Sequence, residues 1–269
     1  RENMNDETID LLNKHVDLAI KAPDGIKRLR EMILTIAMQG KLVPQDPNDK
    51  PASELLKEIE QEKKRLVKEG TIKEPKPLPP IKPEEIPYEV PKSWEWVRLE
   101  GIGVINPRNT CEDDIDAGFV PMPMIFAEIN KLNTFEIRKW GEIKKGFTHF
   151  MNGDIGMAKI TPCFENGKSC HFTGLPNGIG AGTTELHVFR NSFSAIVPRF
   201  LLHYLKNPKY LLAGEKEMTG SAGQKRVPTE YFARKPFPLP PLAEQHRIVA
   251  KIDELMVRVD ELEKMRDAR

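Results

Sequence analysis

Three kinds of signal are scarce in this chain. Cysteine comes first: Cys111, Cys163 and Cys170 form no CxxC pair and are odd in number. That excludes a disulfide framework and fits reduced thiols in a cytosolic protein. Long apolar runs are missing too: no stretch of about 18 apolar residues could form a membrane span. The polar, acidic start from Arg1 to Lys14 does not resemble a signal peptide. A soluble, cytoplasmic protein is expected. Third, there is no excess of one charge, with 41 Lys+Arg against 40 Asp+Glu and a formal net charge of +1. For nucleic-acid binding the distribution of charge then matters more than its sum.

Catalytic motifs are missing as well. There is no phosphate loop of the G-x-x-x-x-G-K-[ST] type, no Gly-x-Ser-x-Gly turn and no Asn/Asp-Pro-Pro-aromatic loop of a DNA methyltransferase. Gly178, Gly180 and Gly182 give a G-x-G-x-G spacing, but they follow a turn-like Leu-Pro-Asn rather than an apolar strand. Among His15, His149, His171, His187, His203 and His246, only Cys170-His171 brings two zinc-type ligands close. Adjacent residues point to opposite faces of a strand.

What is present divides into four regions. In residues 1–43, Ile26, Leu29, Ile33, Ile36 and Gly40 recur at helical spacing, with Asp24 as expected N-cap and Gly40 as stop. Leu12, Val16 and Ala19 suggest an earlier helix, separated by Pro23. In residues 44–93, Ser53 is expected to cap a helix carrying Leu55, Leu56, Ile59 and Leu66 and ending at Gly70. A proline-rich stretch from Glu74 to Pro91 follows. It can neither continue a helix nor sit in a central strand, so an extended connector is expected.

Residues 94–239 read as a mixed α+β domain dominated by short strands. Strands are expected at Trp96-Val-Arg-Leu, Phe119-Val-Pro-Met, Gly156-Met-Ala-Lys-Ile and Leu186-His-Val-Phe, and a helix at Phe200 to Leu205. In residues 240–269, Ile248, Ile252, Leu255, Val259 and Leu262 keep the four-three rhythm of a coiled coil. A helix over Ala243–Ala268 would be roughly 40 Å long at 1.5 Å per residue. It needs a partner, and the stripe of Ile26, Leu29, Ile33 and Ile36 matches it.

Between residues 98 and 235 there are 18 Lys/Arg against 14 Asp/Glu, a net charge of +4. Lys159, Lys168, Lys225 and Arg226 lie in turn-like contexts among Ser, Thr and Asn, residues that bond phosphates or read base edges. Composition alone stops at a somewhat basic domain mounted on helices.

Five strings carry a resemblance: residues 237–256 (FPLPPLAEQHRIVAKIDELM), 29–45 (LREMILTIAMQGKLVPQ), 86–99 (IPYEVPKSWEWVRL), 153–168 (GDIGMAKITPCFENGK) and 182–190 (GTTELHVFR). Taken in their order along the chain, they resemble the specificity subunits of type I restriction-modification systems. The resemblance implies a target recognition domain attached to long helices that form an antiparallel coiled coil. It implies a non-catalytic subunit that reads one half of a two-part target in double-stranded DNA, with the helices as a ruler. Modification (methyltransferase) subunits would dock on the helices and use S-adenosylmethionine. A restriction/translocase subunit would use ATP and Mg. No cofactor is expected in this chain itself.

A family member has two recognition domains, and one is found here. Either a fragment or a half-subunit that forms a homodimer is expected, and the starting Arg1 favours the fragment. The candidate DNA-binding residues are Arg108, Asn109, Lys159, Thr161, Asn166, Lys168, Thr183, Thr184, Lys225 and Arg226. Two alternatives stay open. One is a stand-alone Mg-dependent nuclease built on Asp116 (or Asp113), Glu142 and Lys144. The other is a coiled-coil protein-interaction adaptor.

Overall fold

The computed structural model describes residues 22–75, 77–129, 131, 133–221 and 223–268. The helix expected around Leu12, Val16 and Ala19 lies outside these residues. Helix α1 spans Gly25–Met38. Asp24 precedes it but does not cap it. Its φ of 57° is left-handed, not the extended conformation from which a cap side chain reaches the first amides. Gly40 ends the helix as expected, with φ of 68°, and a Cβ there would lie 2.4 Å from Pro91 Cγ. Only glycine satisfies both constraints.

Helix α2 spans Ala52–Lys68 and starts one residue before the expected cap. Ser53 sits inside the first turn without a capping bond, because the Ser93 carbonyl already accepts from the Ala52 amide at 2.9 Å. A contact from 41 residues away replaces a local signal. The proline-rich connector then lies along the molecule. Arg98, itself buried, donates to the Pro79 and Pro80 carbonyls and to Glu85, which pins the connector down.

The strands are short. Strand β1 (Glu95–Val97) pairs antiparallel with β10 (Phe237–Leu239), so the segment between them leaves and returns at one place. A short helix α3 (Leu99–Ile102) leads into β2 (Val104–Ile105). Then follow β3 (Asp116–Val120), β4 (Glu136–Lys139), α4 (Trp140–Ile143), β5 (Thr148–Met151), β6 (Ile155–Ala158), β7 (Ser169–His171), β8 (Ile179–Gly182) and β9 (Leu186–Arg190). They form two four-stranded sheets, ordered β4-β3-β8-β5 and β2-β9-β6-β7. In the first sheet β3 and β8 are parallel, and every other pair in either sheet is antiparallel.

The two-residue period of a strand divides its side chains between two cores. Ala117, Phe119, Ile179 and Ala181 face α4 through Trp140 and Ile143. Val120 and Phe150 face the second sheet, meeting Ala158, Cys170, Phe172, Leu186 and Val188. Phe150 and Phe172 stack there at 3.7 Å. Ile155, Met157 and Phe189 point the other way, into the helices. Gly180 and Gly182 belong to this packing and form no cofactor turn. A Cβ on Gly180 would lie 2.5 Å from both the Gly118 carbonyl and the Phe150 ring, and one on Gly182 would lie 2.1 Å from the Val120 carbonyl.

The helical layer holds α5 (Pro198–Leu205), α6 (Pro208–Glu217), α7 (Thr229–Arg234) and α8 (Leu242–Asp267). Among the described residues, no helix is long and apolar enough to cross a membrane. Helix α8 runs antiparallel to α1: Arg30 bonds Asp260 and Glu263 at 2.7 Å, while Asp49, beyond the end of α1, pairs with Arg247. Ile26, Leu29 and Ile33 are buried against Ile248, Ile252, Leu255 and Val259, as the rhythm implies. Ile36 and Leu262 are only partly covered, and Leu34, Ala37, Met38 and Met256 are buried in their place. The seam is broader than a heptad stripe because α8 also packs on α5, giving it two apolar neighbours.

The start of α8 is held by polar contacts. Glu244 is fully buried, accepting from Trp94 Nε1 at 2.9 Å and from Gln45. Gln245 accepts from the Val197 amide and donates to the Ala195 and Pro240 carbonyls. Ile252→Ala should cost about 2–5 kcal/mol through the cavity it leaves. Leu255→Asp should cost more, by burying an unpaired charge. Urea unfolding would measure both, and wild-type stability in Leu255→Asp would refute the seam.

A candidate nucleic-acid interface

One of the links between the two sheets, from β8 to β9, is three residues long. Gly182 ends β8 in the first sheet, Leu186 starts β9 in the second, and only Thr183, Thr184 and Glu185 lie between. So short a link brings one end of each sheet to the same place. The registers show what collects there. Gly182 lies opposite Thr148 at the start of β5 and Val120 at the end of β3. Leu186 lies opposite Ala158 at the end of β6, and Ser169 at the start of β7 pairs with Met157. The loops that leave these strands form one rim.

Most of the candidate residues sit on this rim. Lys159 donates its amide to the Glu185 carbonyl at 2.9 Å and accepts at its own carbonyl from Val227 at 2.8 Å. Thr161 donates its amide to the Lys225 carbonyl at 3.0 Å, and the Thr183 amide reaches the Val120 carbonyl at 3.2 Å. The loop from 159 to 168 closes on itself: the Lys168 amide meets the Cys163 carbonyl and the Ala158 amide meets the Lys168 carbonyl. Thr184, Asn166 and Lys225 are exposed. The Lys168 ammonium makes one long contact, 3.4 Å, to the Met122 carbonyl. Among the described residues, no carboxylate pairs with Lys159, Lys168 or Lys225.

Three candidates are already engaged. Arg226 makes a two-pronged pair with Glu185 at 2.9 and 2.8 Å, and it holds the Glu185 carboxyl below its usual range. That pair ties the 219–226 loop to the inter-sheet link. Asn109 lies where residues 106–109 cross from β9 to β5. It donates its side-chain amide to the Phe150 carbonyl at 2.8 Å and accepts from Arg190 at 2.8 Å. Arg190 in turn clasps Asp154, which is 1% exposed. Arg108 is exposed, with its guanidinium on the Phe147 carbonyl at 3.1 Å, next to the rim.

Sequence reasoning selected basic and small polar groups, so it missed the acid that organises them. Glu185 follows Thr183 and Thr184 directly in the string 182–190. Lys206 was also missed, since burial of a lysine leaves no trace in local sequence. The acidic residues of the nuclease alternative are taken up separately: Asp116 pairs with Lys139 at 2.8 Å and Asp113 with Lys144 at 2.5 Å. Among the described residues, no group of three His, Cys, Asp or Glu could hold a metal.

Residues 91–268 match the family described as type I restriction modification DNA specificity domain, and the chain belongs to that family. It is 55% identical over 240 residues to the type I restriction enzyme EcoAI specificity subunit of Escherichia coli, across 89% of this chain and 41% of that protein. It is 54% identical over 240 residues to the EcoEI specificity subunit of the same organism, across 89% and 40%. The chain thus spans about two fifths of the length of these curated relatives. Among solved structures, a chain of a type I R-M system has a TM-score of 0.48 at 18% identity, covering 90% of this chain and 52% of that one. The HsdS subunit from Thermoanaerobacter tengcongensis has a TM-score of 0.46 at 19% identity, covering 90% and 51%.

Two histidines behind the rim stay neutral. His187 donates Nε2–H to the Val227 carbonyl at 2.9 Å, and burial pushes its pKa down to about 4. His203 is fully buried, neither ring nitrogen has a partner among the described residues, and burial pushes its pKa down to about 3. Each binds a proton more readily unfolded, where the pKa is near 6.5. Their stabilising contribution is therefore complete above pH 6.5 and is lost as pH falls toward the folded values. His203→Leu removes an unsatisfied buried group, so it should not weaken the fold at pH 7. At pH 5 it should exceed the wild type by about 1.4 kcal/mol for each pH unit below 6.5. Melting curves at both pH values check this, and parallel curves would contradict it.

Proposed function

We propose that this chain reads one half of a bipartite double-stranded DNA target for a type I restriction-modification complex, without catalysing a reaction itself. The observation that carries the reading is the rim. Loops at one end of the two sheets, joined there by the loop between α6 and α7, bring together Lys159, Lys168 and Lys225, which have no carboxylate partner among the described residues, with Thr183, Thr184 and Asn166. Unpaired ammonium groups bind phosphates, while threonine and asparagine add hydrogen bonds to phosphates or base edges. Arg108 extends the basic surface beside Phe147. Arg226 supports the rim through Glu185, whereas the Asn109 side chain is spent on Phe150 and on Arg190 at the other end of β9.

The curated relatives named as specificity subunits support this division of labour. Helices α1 and α8 would dock modification subunits, which bind S-adenosylmethionine. A restriction subunit would supply ATP and Mg chemistry. The complex would work in the cytoplasm. A second recognition domain would come from further sequence of the same subunit or from a two-fold copy of this chain.

The test starts by selecting duplexes from a random-sequence library with the 269-residue chain. Enrichment of one half-site is expected, and a pool that stays random would sink the proposal. Lys168→Ala should weaken binding to every duplex about equally and reduce the salt slope by about one. An unchanged slope would remove Lys168 from the phosphate contacts. Incubation of DNA with the chain and Mg²⁺ should leave the DNA intact, whereas cleavage would favour the nuclease built on Asp116, Glu142 and Lys144.

A further inference from the structure

Lys206 sits where α5 passes into α6 and is only 7% exposed. Its ammonium donates to the Phe126 carbonyl at 3.1 Å, the Ala127 carbonyl at 2.9 Å and the Gly167 carbonyl at 3.1 Å. Three acceptors saturate the three donors of a lysine. The first two belong to the loop between β3 and β4, and the third to the loop between β6 and β7. Both loops rise from the rim, and the second carries Thr161, Asn166 and Lys168.

Burying an ammonium is costly, and no carboxylate hydrogen-bonds it among the described residues. Burial lowers its pKa to about 8. An apolar side chain would fill the space at lower cost only if the three carbonyls found other donors. The group is also spent: with every proton committed inward, it has none left for a phosphate.

We infer that Lys206 is a positioning residue of the DNA-facing rim, clasping two of its loops to the helical layer and thereby setting base discrimination without touching DNA. The inference rests on the DNA-reading role proposed above. Its mechanical half, the clasp, stands apart from that role. The Asn207 side chain accepts from the Lys209 amide at 2.9 Å, fixing the start of α6 directly beside the lysine. Tyr204, two residues earlier, donates to the Pro236 carbonyl at 3.0 Å and anchors α5. The ammonium therefore projects from a rigid corner, and the loops are the parts free to shift when it is removed.

Lys206→Met and Lys206→Gln separate the possibilities. The methionine removes all donors, while the glutamine keeps two N–H donors without charge. Two readouts are needed. The first is affinity for the duplex selected by the wild-type chain, beside affinity for a random-sequence duplex of equal length. Lys206→Met should lose about tenfold or more on the selected duplex, leave the random duplex and the salt slope unchanged, and exceed the loss in Lys206→Gln. The second is amide hydrogen exchange in the full chain without DNA. Exchange at Met124, Ile125, Asn166, Gly167 and Lys168 should quicken about tenfold or more, with β6 and β9 unchanged.

Equal losses on both duplexes would mark a phosphate contact or general unfolding and overturn the inference, as would wild-type exchange in both variants. Should Lys206→Met fail to melt cooperatively, Lys206→Gln decides alone. If the wild type selects no sequence, the DNA-reading role falls while the exchange measurement still judges the clasp.

Discussion

A three-residue crossing between sheets governs much of this molecule. Thr183, Thr184 and Glu185 are all the chain that separates β8 from β9. Each residue spans at most about 3.6 Å, so the two sheets cannot part at that end. The ends of β3 and β6 and the starts of β5, β7 and β9 are drawn to one place, and their loops project together. Glu185 adds a second hold by anchoring Arg226 from a distant loop. A surface assembled from segments far apart in sequence follows from local chain length, before any ligand is considered.

The opposite side of the second sheet meets different demands. Ile155, Met157 and Phe189 enter the same apolar cluster as Phe200, Ile33 and Ile252. The helices are thus continuous with the core beneath the sheet, and they do not hang from it as a separate stalk. Polar residues fix their angle: Glu244 and Gln245 are buried and fully engaged at the first turn of α8. Both lie in the string Leu-Ala-Glu-Gln-His-Arg-Ile, part of the family resemblance, and the contacts give that resemblance a physical basis.

Long-period features were legible in the sequence, and contact-dependent ones were not. Helix α8 and much of its seam follow from spacing alone, and so do the stops at Gly40 and Gly70. The strands around Phe119, Met157 and Val188 carry apolar and β-branched residues and could be read. By contrast β8, Ile-Gly-Ala-Gly, has almost no side chain to read, and its strand character comes from the tight approach of β3 and Phe150. The expected caps Asp24 and Ser53 failed for a related reason, since backbone geometry and the Ser93 carbonyl settle those helix starts. At the site, charge and turn chemistry located the rim. They could not separate exposed lysines from Arg226, whose partner is 41 residues away, or find Lys206, whose role depends on burial.

The pairing of β1 with β10 has a consequence for how such chains diversify. Glu95 stands opposite Leu239, so everything from the first strand to the last departs and returns through a single doorway. A different cassette could be grafted through that doorway while the flanking helices kept their own path. The graft would have to keep the faces that meet the helices: the α5 surface that rests on α8, with Arg199 placed to meet Asp253, the α6 surface beside α1, and the Ala195 and Val197 backbone that bonds Gln245. Those faces would limit what can be inserted, leaving the loops at the far end free to vary.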